Sequence, residues 1–265
     1  MAIACAEPGS DSLYSISQLR AIEASALANL PAGTLMRRAG HAVALAAQRM
    51  LATSRIQTSQ PARILVAAGP GNNGGDALEA AAELACRGLE VCIVMPTIPA
   101  SSSSDAQGAL KRARQSHASF ISVESAIATS CWDLVIDGLF GIGLARALQG
   151  DFRALVDYLS QLGCAVLAID IPSGLDADRG TVVGAEGMAV RADKTLTFIG
   201  NKPGLYTASG RDYSGMVEVE TLGVDCRLYG EPLAYLNRPS LFPSARRARH
   251  HASHKGSFGD LSLLG

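Results

Sequence analysis

The stretch Ile64-Leu-Val-Ala-Ala-Gly-Pro-Gly-Asn-Asn-Gly-Gly-Asp-Ala77 decides the fold. An apolar run stops at a Gly-Pro-Gly break, so Arg63–Ala67 reads as a short buried strand. The glycine loop after it opens a helix predicted over Asp76–Arg87, with Asp76 as its cap. Outward from this unit the same alternation repeats. Strands are predicted at Glu90–Met95, Asp133–Ile136, Ala165–Ile171, Thr195–Ile199 and Met216–Thr221, with helices at Asp105–Gln115, capped by Ser104, and at Phe152–Leu162. Ala165–Ile171 is apolar almost without alternation, as expected of a strand covered on both faces. Upstream, Ile16–Leu51 carries apolar residues at helical spacing in two blocks separated by Pro31-Ala-Gly33, which predicts two helices. Polar Thr53–Pro61 is a loop. Strands alternating with helices of this length imply right-handed crossovers, a mostly parallel sheet and an α/β fold of three layers.

The loop carries more than a chain reversal requires. Gly69-x-Gly71-x-x-Gly74 satisfies the dinucleotide fingerprint, in which glycines let backbone approach phosphates at a helix N-terminus. Two details argue against an ordinary NAD dehydrogenase. The next strand ends in Val94-Met95-Pro96, with no carboxylate to hold a ribose, and Asn72, Asn73 and Asp76 put amides and an acid into the loop. A P-loop is excluded, because it needs Gly-Lys-Ser/Thr and no lysine precedes Lys111. Two further strand ends carry acids: Asp137, before Gly138-Leu-Phe-Gly-Ile-Gly-Leu144, and Asp170, before Ile171-Pro-Ser-Gly-Leu-Asp176. Ligands of open parallel sheets sit beyond the carboxyl ends of the strands, so these tips are predicted to converge on one crevice. Asp170, close to an Ile-Pro bond, is predicted extended and suited to act as a fixed base or hydrogen-bond acceptor.

Composition narrows the function classes. Of 265 residues, 48% are apolar and 18% charged, and the mean hydropathy is +0.19, which suits a chain that buries a large core without disulfides. Lys and Arg number 23 against 24 Asp and Glu, a net charge of −1, whereas a nucleic-acid binder shows a basic excess. No apolar run reaches the roughly 18 residues of a membrane helix, and Met1–Asp11 has no signal-peptide pattern. The six cysteines include no C-x-x-C pair, and Cys92 and Cys164 lie in apolar stretches. They read as reduced thiols packed in a core, hence a cytoplasmic protein. From Asp225 the character changes: residues 225–253, with Pro239, Pro243 and the Arg246, Arg247, Arg249 cluster, read as a linker, and His254–Gly265 rises into a strand and stops. Lys194 and Lys202 are read as exposed on a solvated edge, with a phosphate contact as the alternative.

Taken together, Ala67-Ala-Gly-Pro-Gly-Asn-Asn-Gly-Gly-Asp76, Asp137–Leu144, Ala168-Ile-Asp-Ile-Pro-Ser-Gly-Leu-Asp176, Ala192–Phe198 and Lys202-Pro-Gly204 resemble the YjeF N-terminal family, the NAD(P)H-hydrate epimerases. Leu35-Met-Arg-Arg-Ala-Gly40 resembles the family's first helical motif, and the likeness spans about residues 13–224. The resemblance implies a Rossmann-like α/β/α sandwich with a mostly parallel sheet over residues 1–224. It implies an isomerase that interconverts the R and S forms of hydrated NADH and NADPH, with a hydroxyl at C6 of the nicotinamide. By motif, Asn72, Asn73, Gly74, Gly75 and Asp76, the loop Gly141, Ile142, Gly143, Leu144, Ala145, Arg146 and Ala147, and Asp170 are implied to bind substrate. Asn73, Asp137 and Ser173 are implied to hold K+, whose hard-cation chemistry suits amide, carboxylate and hydroxyl oxygens. Asp170 is the candidate acid/base. A homodimer acting on a small molecule is implied, with no nucleic acid and no membrane. The segment from His254 resembles the opening of the ADP-dependent dehydratase domain of bifunctional repair enzymes, so dehydratase activity is expected to be absent from this chain. Two departures stand out: Ala77 and Gly138 occupy positions where the family usually has Gly and Ala, and Glu79 adds negative charge near an expected pyrophosphate. A non-enzymatic nucleotide-sensing or protein-interaction module of the same fold is the alternative, although such a module is expected to lose the acids or the Asn pair.

Overall fold

A computed structural model describes residues 11–53, 61–97, 103–129, 131–239 and 252. The elements run β1 (Ser12–Leu13), α1 (Ile16–Leu27), α2 (Thr34–Thr53), β2 (Arg63–Ala68), α3 (Asn72–Cys86), β3 (Glu90–Val94), α4 (Ser104–Gln115), β4 (Ser119–Ile121), α5 (Val123–Ile127), β5 (Leu134–Gly138), α6 (Gly150–Gln161), β6 (Ala165–Ile169), β7 (Lys194–Phe198), α7 (Gly210–Ser214), β8 (Met216–Glu220) and β9 (Ala234–Tyr235). Seven strands form one sheet in the order β4-β3-β2-β5-β6-β7-β8, and every pairing in it is parallel. The predicted three-layer α/β/α fold is the observed one.

The period of two in the strands divides the core. Ile64, Val66, Ala68, Ile136 and Ile169 face helices α1 to α4 in one apolar cluster, while Leu65, Ala67, Val135 and Ala168 face α6 in the other. All nine are fully buried. Between β2 and β5 the chain changes direction across the sheet, because β3 and β4 lie to one side of β2 and β5 to β8 to the other. That reversal leaves a crevice at the carboxyl ends of the strands.

Several predictions shift in detail. Helix α3 begins at Asn72 with Gly71 at its N-cap and no side-chain cap, so Asp76 lies inside the helix rather than at its entrance. Glycine at the N-cap is tolerated at little cost, and Gly69-Pro70-Gly71 alone makes the turn. Ser103, not Ser104, caps α4 by accepting from the Ala106 N–H. Strand β4 and helices α5 and α7 lie in segments whose short periodicity left them unpredicted. Residues 226–228 form a 3₁₀ turn, and β9 pairs antiparallel with β1, so the start of the stretch read as linker returns to the N-terminal segment. The predicted strand within 254–265 lies outside the described residues, as does most of the loop over Thr53–Pro61. Cys92 and Cys164 are half-buried, whereas Cys86 and Cys131 are exposed. The described cysteines are therefore not a packed core set.

Candidate active site

A cavity of about 540 Å³ opens at the switch point, in the size range of ligand sites. Its wall brings together the tip of α3 (Asn72, Asn73, Asp76), the loop after β5 (Gly141–Leu144) and Asp170 after β6, together with Phe198 at the end of β7 and Ile199 and Lys202 after it. Helix α1 supplies Arg20 and Glu23, and α4 supplies Ser104 and Asp105.

Backbone packing sets this convergence. A Cβ at Gly74 would collide with the Gly69 carbonyl, and one at Gly69 with the Leu139 carbonyl, so the glycine loop lies directly on the loop after β5. At Gly141 a Cβ would sit 3.3 Å from Asn73 Oδ1 and 3.4 Å from Asp170 Oδ2. Three separate tips therefore meet at one point. Gly74 and Gly75 are buried behind the wall, where their lack of side chains admits Gly69 and Met36. Ala145 and Arg146 are exposed away from the cavity, and Ala147 packs toward Gly184. These five implied substrate residues stand outside the lining, as the loop turns back toward α6 after Leu144.

Asp137 and Ser173 lie one layer in, both fully buried. The Ser173 hydroxyl donates to Asp137 Oδ1 at 2.6 Å and its N–H to Oδ2 at 2.8 Å, while the Leu139 N–H donates to Oδ1 at 3.3 Å. Burial nevertheless pushes the Asp137 carboxyl up to about 6, against these hydrogen bonds, which act to lower it. Asn73 Nδ2 is buried without a hydrogen-bond partner among the described residues.

The cavity is rich in carboxyls. Asp76 keeps some surface on the cavity yet is otherwise enclosed. Desolvation holds it well above the ordinary carboxylate range, reinforced by Asp170, Glu23 and Glu79. Glu23 is raised too, by burial first and then by Asp170, with Lys202 and Arg20 pulling the other way. An acid raised by burial and a carboxylate paired with a lysine thus share one site, the kind of contrast in environment that acid/base chemistry uses.

Four sequence readings are corrected here. Asp170 is not extended: its φ is 67°, and an Ile171 N–H to Ile169 carbonyl bond of 2.8 Å closes a three-residue turn around it. The proline two residues on constrains Ile171, not Asp170. Lys202 is not on a solvated edge: it is 1% exposed and pairs with Asp170 Oδ1 at 2.7 Å. Its burial comes from the turn after β7, which no local pattern signals. Glu79 does not present charge to the cavity, because Arg112 of α4 clamps it through Nε at 3.0 Å to each carboxylate oxygen. Lys194, also read as exposed, pairs with Glu218 of the neighbouring strand β8. Arg20 and Glu23 went unmarked in the sequence, since α1 carries no motif and only docking of that helix brings them to the cavity.

Comparisons with known proteins bear on the family and the fold. The family model for the YjeF-related protein N-terminus matches residues 32–204. A protein of Achromobacter xylosoxidans (strain A8) named NAD(P)H-hydrate epimerase is 41% identical over 221 residues, covering 80% of this chain and 95% of that one. One of the same name from Oenococcus oeni is 34% identical, covering 74% and 88%. The bifunctional NAD(P)H-hydrate repair enzyme Nnr of Escherichia coli K12 is 33% identical over 207 residues, covering 76% of this chain and 38% of its own length. In three dimensions the chain is similar to the crystal structure of yeast ynu0, YNL200c, with a TM-score of 0.69 at 19% identity, covering 84% and 96%. With most of its length matched by the family and its strand tips gathered on one cavity, the chain belongs to the YjeF-related N-terminal family.

Proposed function

We propose that this chain is an isomerase that interconverts the R and S epimers of hydrated NADH and NADPH. The observation that carries the reading is the meeting of Asn73, Asp170 and the Gly141 loop at one point of a cavity large enough for a nucleotide. Relatives named for this activity cover most of the chain. Helices α3 and α4 direct their N-termini, beginning at Asn72 and Ser104, to the same cavity. Exposed backbone N–H groups there suit the phosphates of a dinucleotide. Asp170 Oδ2 faces the cavity and takes the proton of the ring hydroxyl as the C6–N1 bond breaks. The electron pair of that bond moves to the ring nitrogen and the conjugated carboxamide while C6 becomes a carbonyl. When N1 re-forms the bond on the other face of that carbonyl, Asp170 returns the proton to the oxygen. No co-reactant is consumed. An Asp170→Asn protein is expected to fold, bind substrate and lose about 10²–10⁴-fold in epimerisation rate. The assay supplies pure R hydrate and follows the S form by chromatography, with the spontaneous rate subtracted; an unchanged rate removes Asp170 from the chemistry.

Potassium is part of the reading. A buried carboxylate with no cationic side chain beside it among the described residues and a buried amide without a partner are what a hard monovalent cation would satisfy. Asn73 O and N are interchangeable by rotation of the amide, so Asn73, Asp137 and Ser173 can all turn oxygen toward one ion. When bound, the ion supplies positive charge that holds the three loops in register. The protein is further proposed to act in the cytoplasm as a homodimer: the half-buried thiols of Cys92 and Cys164 fit a reducing compartment, and the dimer rests on the family resemblance. Among the described residues no helix is long and apolar enough to cross a membrane.

A further inference from the structure

The most unusual side chain in the molecule is Lys202. At 1% exposure it is the largest fully buried residue among those described, and buried lysines are rare unless paired. Its Nζ lies 2.7 Å from Asp170 Oδ1, 2.6 Å from Thr197 Oγ1 and 3.3 Å from each of the Phe198 and Gly200 carbonyl oxygens. An ammonium has three N–H donors, and these acceptors use all of them. None remains for a phosphate, so the residue is no anion hook, although it lies on the wall of the cavity.

The carboxylate it meets is divided in two. Asp170 Oδ1 receives Lys202, the Phe198 N–H at 3.2 Å and the Thr197 hydroxyl at 3.5 Å, and Thr197 accepts from the lysine as it donates onward. Oδ2 has no protein donor among the described residues and points to Gly141 at the cavity. One oxygen is anchored; the other is open to a ligand.

The backbone on both sides is strained to make this arrangement. Asp170 has φ 67° and Ile199 φ 66°, each at the centre of a three-residue turn, closed at Ile199 by the Gly200 N–H to the Phe198 carbonyl at 2.7 Å. Positive φ at a β-branched residue is a true outlier, and such residues persist only where their surroundings over-determine them, typically at functional sites. Ile199 is held from both ends: its N–H donates to the Glu220 carbonyl at 2.8 Å, and its carbonyl accepts from the Tyr229 hydroxyl at 2.8 Å. This turn is what aims the Phe198 and Gly200 carbonyls at Nζ.

We propose that Lys202 is a positioning residue for the reaction: held by Thr197 and the strained turn at Ile199, it locks Oδ1 of Asp170 so that Oδ2 alone faces the reacting ring. The inference deepens the epimerase reading and rests on it. Lysine need not touch substrate for this role; it acts by limiting the carboxylate to one productive orientation, and loss of orientation costs rate more than affinity.

The test uses the full chain at saturating K+, with pure R hydrate of NADPH. Lys202→Met is expected to lower kcat by about 10²-fold or more with KM within about threefold of wild type. Lys202→Ala is expected to fall equally and to recover at least tenfold, on the order of what a restored charge contact gives, with ethylammonium, but not with tetramethylammonium, which has no N–H. Thr197→Val, which keeps the lysine and the shape of the buried side chain, is expected to lower kcat by roughly 5–30-fold, the size of one lost hydrogen bond, with KM unchanged; it decides the matter if the lysine variants do not fold. Folded variants that keep wild-type kcat, a loss confined to KM, or a folded Lys202→Ala protein that ethylammonium leaves unrescued would each overturn the proposal. A wild-type chain that fails to form the S epimer would instead overturn the epimerase reading itself.

Discussion

At the scale of single residues, Ala77 and Gly138 compete for one space. A Cβ placed on Gly138 would stand 2.5 Å from the Cβ of Ala77 across the interface of β5 and α3. One methyl group fits in that gap, and this chain carries it on the helix instead of the strand. Gly138→Ala is therefore expected to destabilise the protein by about 1–3 kcal/mol through overpacking, and Ala77→Gly by about 1 kcal/mol through loss of helix propensity. The double variant is expected to exceed Gly138→Ala in stability by about 1 kcal/mol, a coupling that urea unfolding measures directly. Asp76 makes a second prediction. Its carboxyl is raised in the folded chain, chiefly by desolvation and then by Asp170, Glu23 and Glu79, so it favours the fold while protonated. That contribution is complete below its ordinary value of 3.8 and is lost as pH rises through the higher folded value. Asp76→Asn removes the ionisation. Its melting temperature is expected to match wild type near pH 4 and to exceed it at pH 8; parallel curves would reject the argument.

Among elements, the contact between α3 and α4 matters most to the site, because both helices present their N-termini to it. Small residues let them approach, and Arg112 on Glu79 is the polar clasp. Glu79 is 9% exposed whereas the Arg112 side chain is 42% exposed, so the energetic burden falls on the acid. Arg112→Ala is expected to cost about 1–3 kcal/mol, towards the lower end because water reaches the guanidinium. Adding Glu79→Gln should return part of that loss by removing the stranded charge; a further drop in urea midpoint would contradict this account. Helix α1 is tied in by the Ser15 capping box and by Leu19 and Ile22 in the core. The segment after β8 reaches the same corner, where Tyr229 meets Tyr14 edge-on at 5.7 Å. That hold explains how residues from a stretch with linker composition come to brace Ile199.

For the molecule as a whole, the sheet order creates the site and a cation would tighten it. The proposed ion joins loops after β2, β5 and β6, adding to the Ser173 side chain that already links the last two. Potassium is expected to raise the melting temperature by several degrees over lithium at equal ionic strength, about 2–4 °C for each kcal/mol of binding in a domain of this size. Asp137→Asn is expected to abolish the difference. Equal melting in both salts would remove potassium from the reading while leaving the cavity as described.

Local pattern alone determined six strands of the parallel sheet, most helices and the identity of the loop residues, because apolar periodicity and glycine placement act within a few residues of the chain. The convergence of Asn73, Asp137 and Asp170 was legible for the same reason: a parallel sheet puts every βα loop on one edge. The fate of Lys202, Glu23 and Glu79 was not. Whether a charge meets water, a partner or a ligand depends on which distant segments pack over it. Only the turn at Ile199 could bury that lysine, only the docking of α1 could bring that acid to the cavity, and only α4 could neutralise the third.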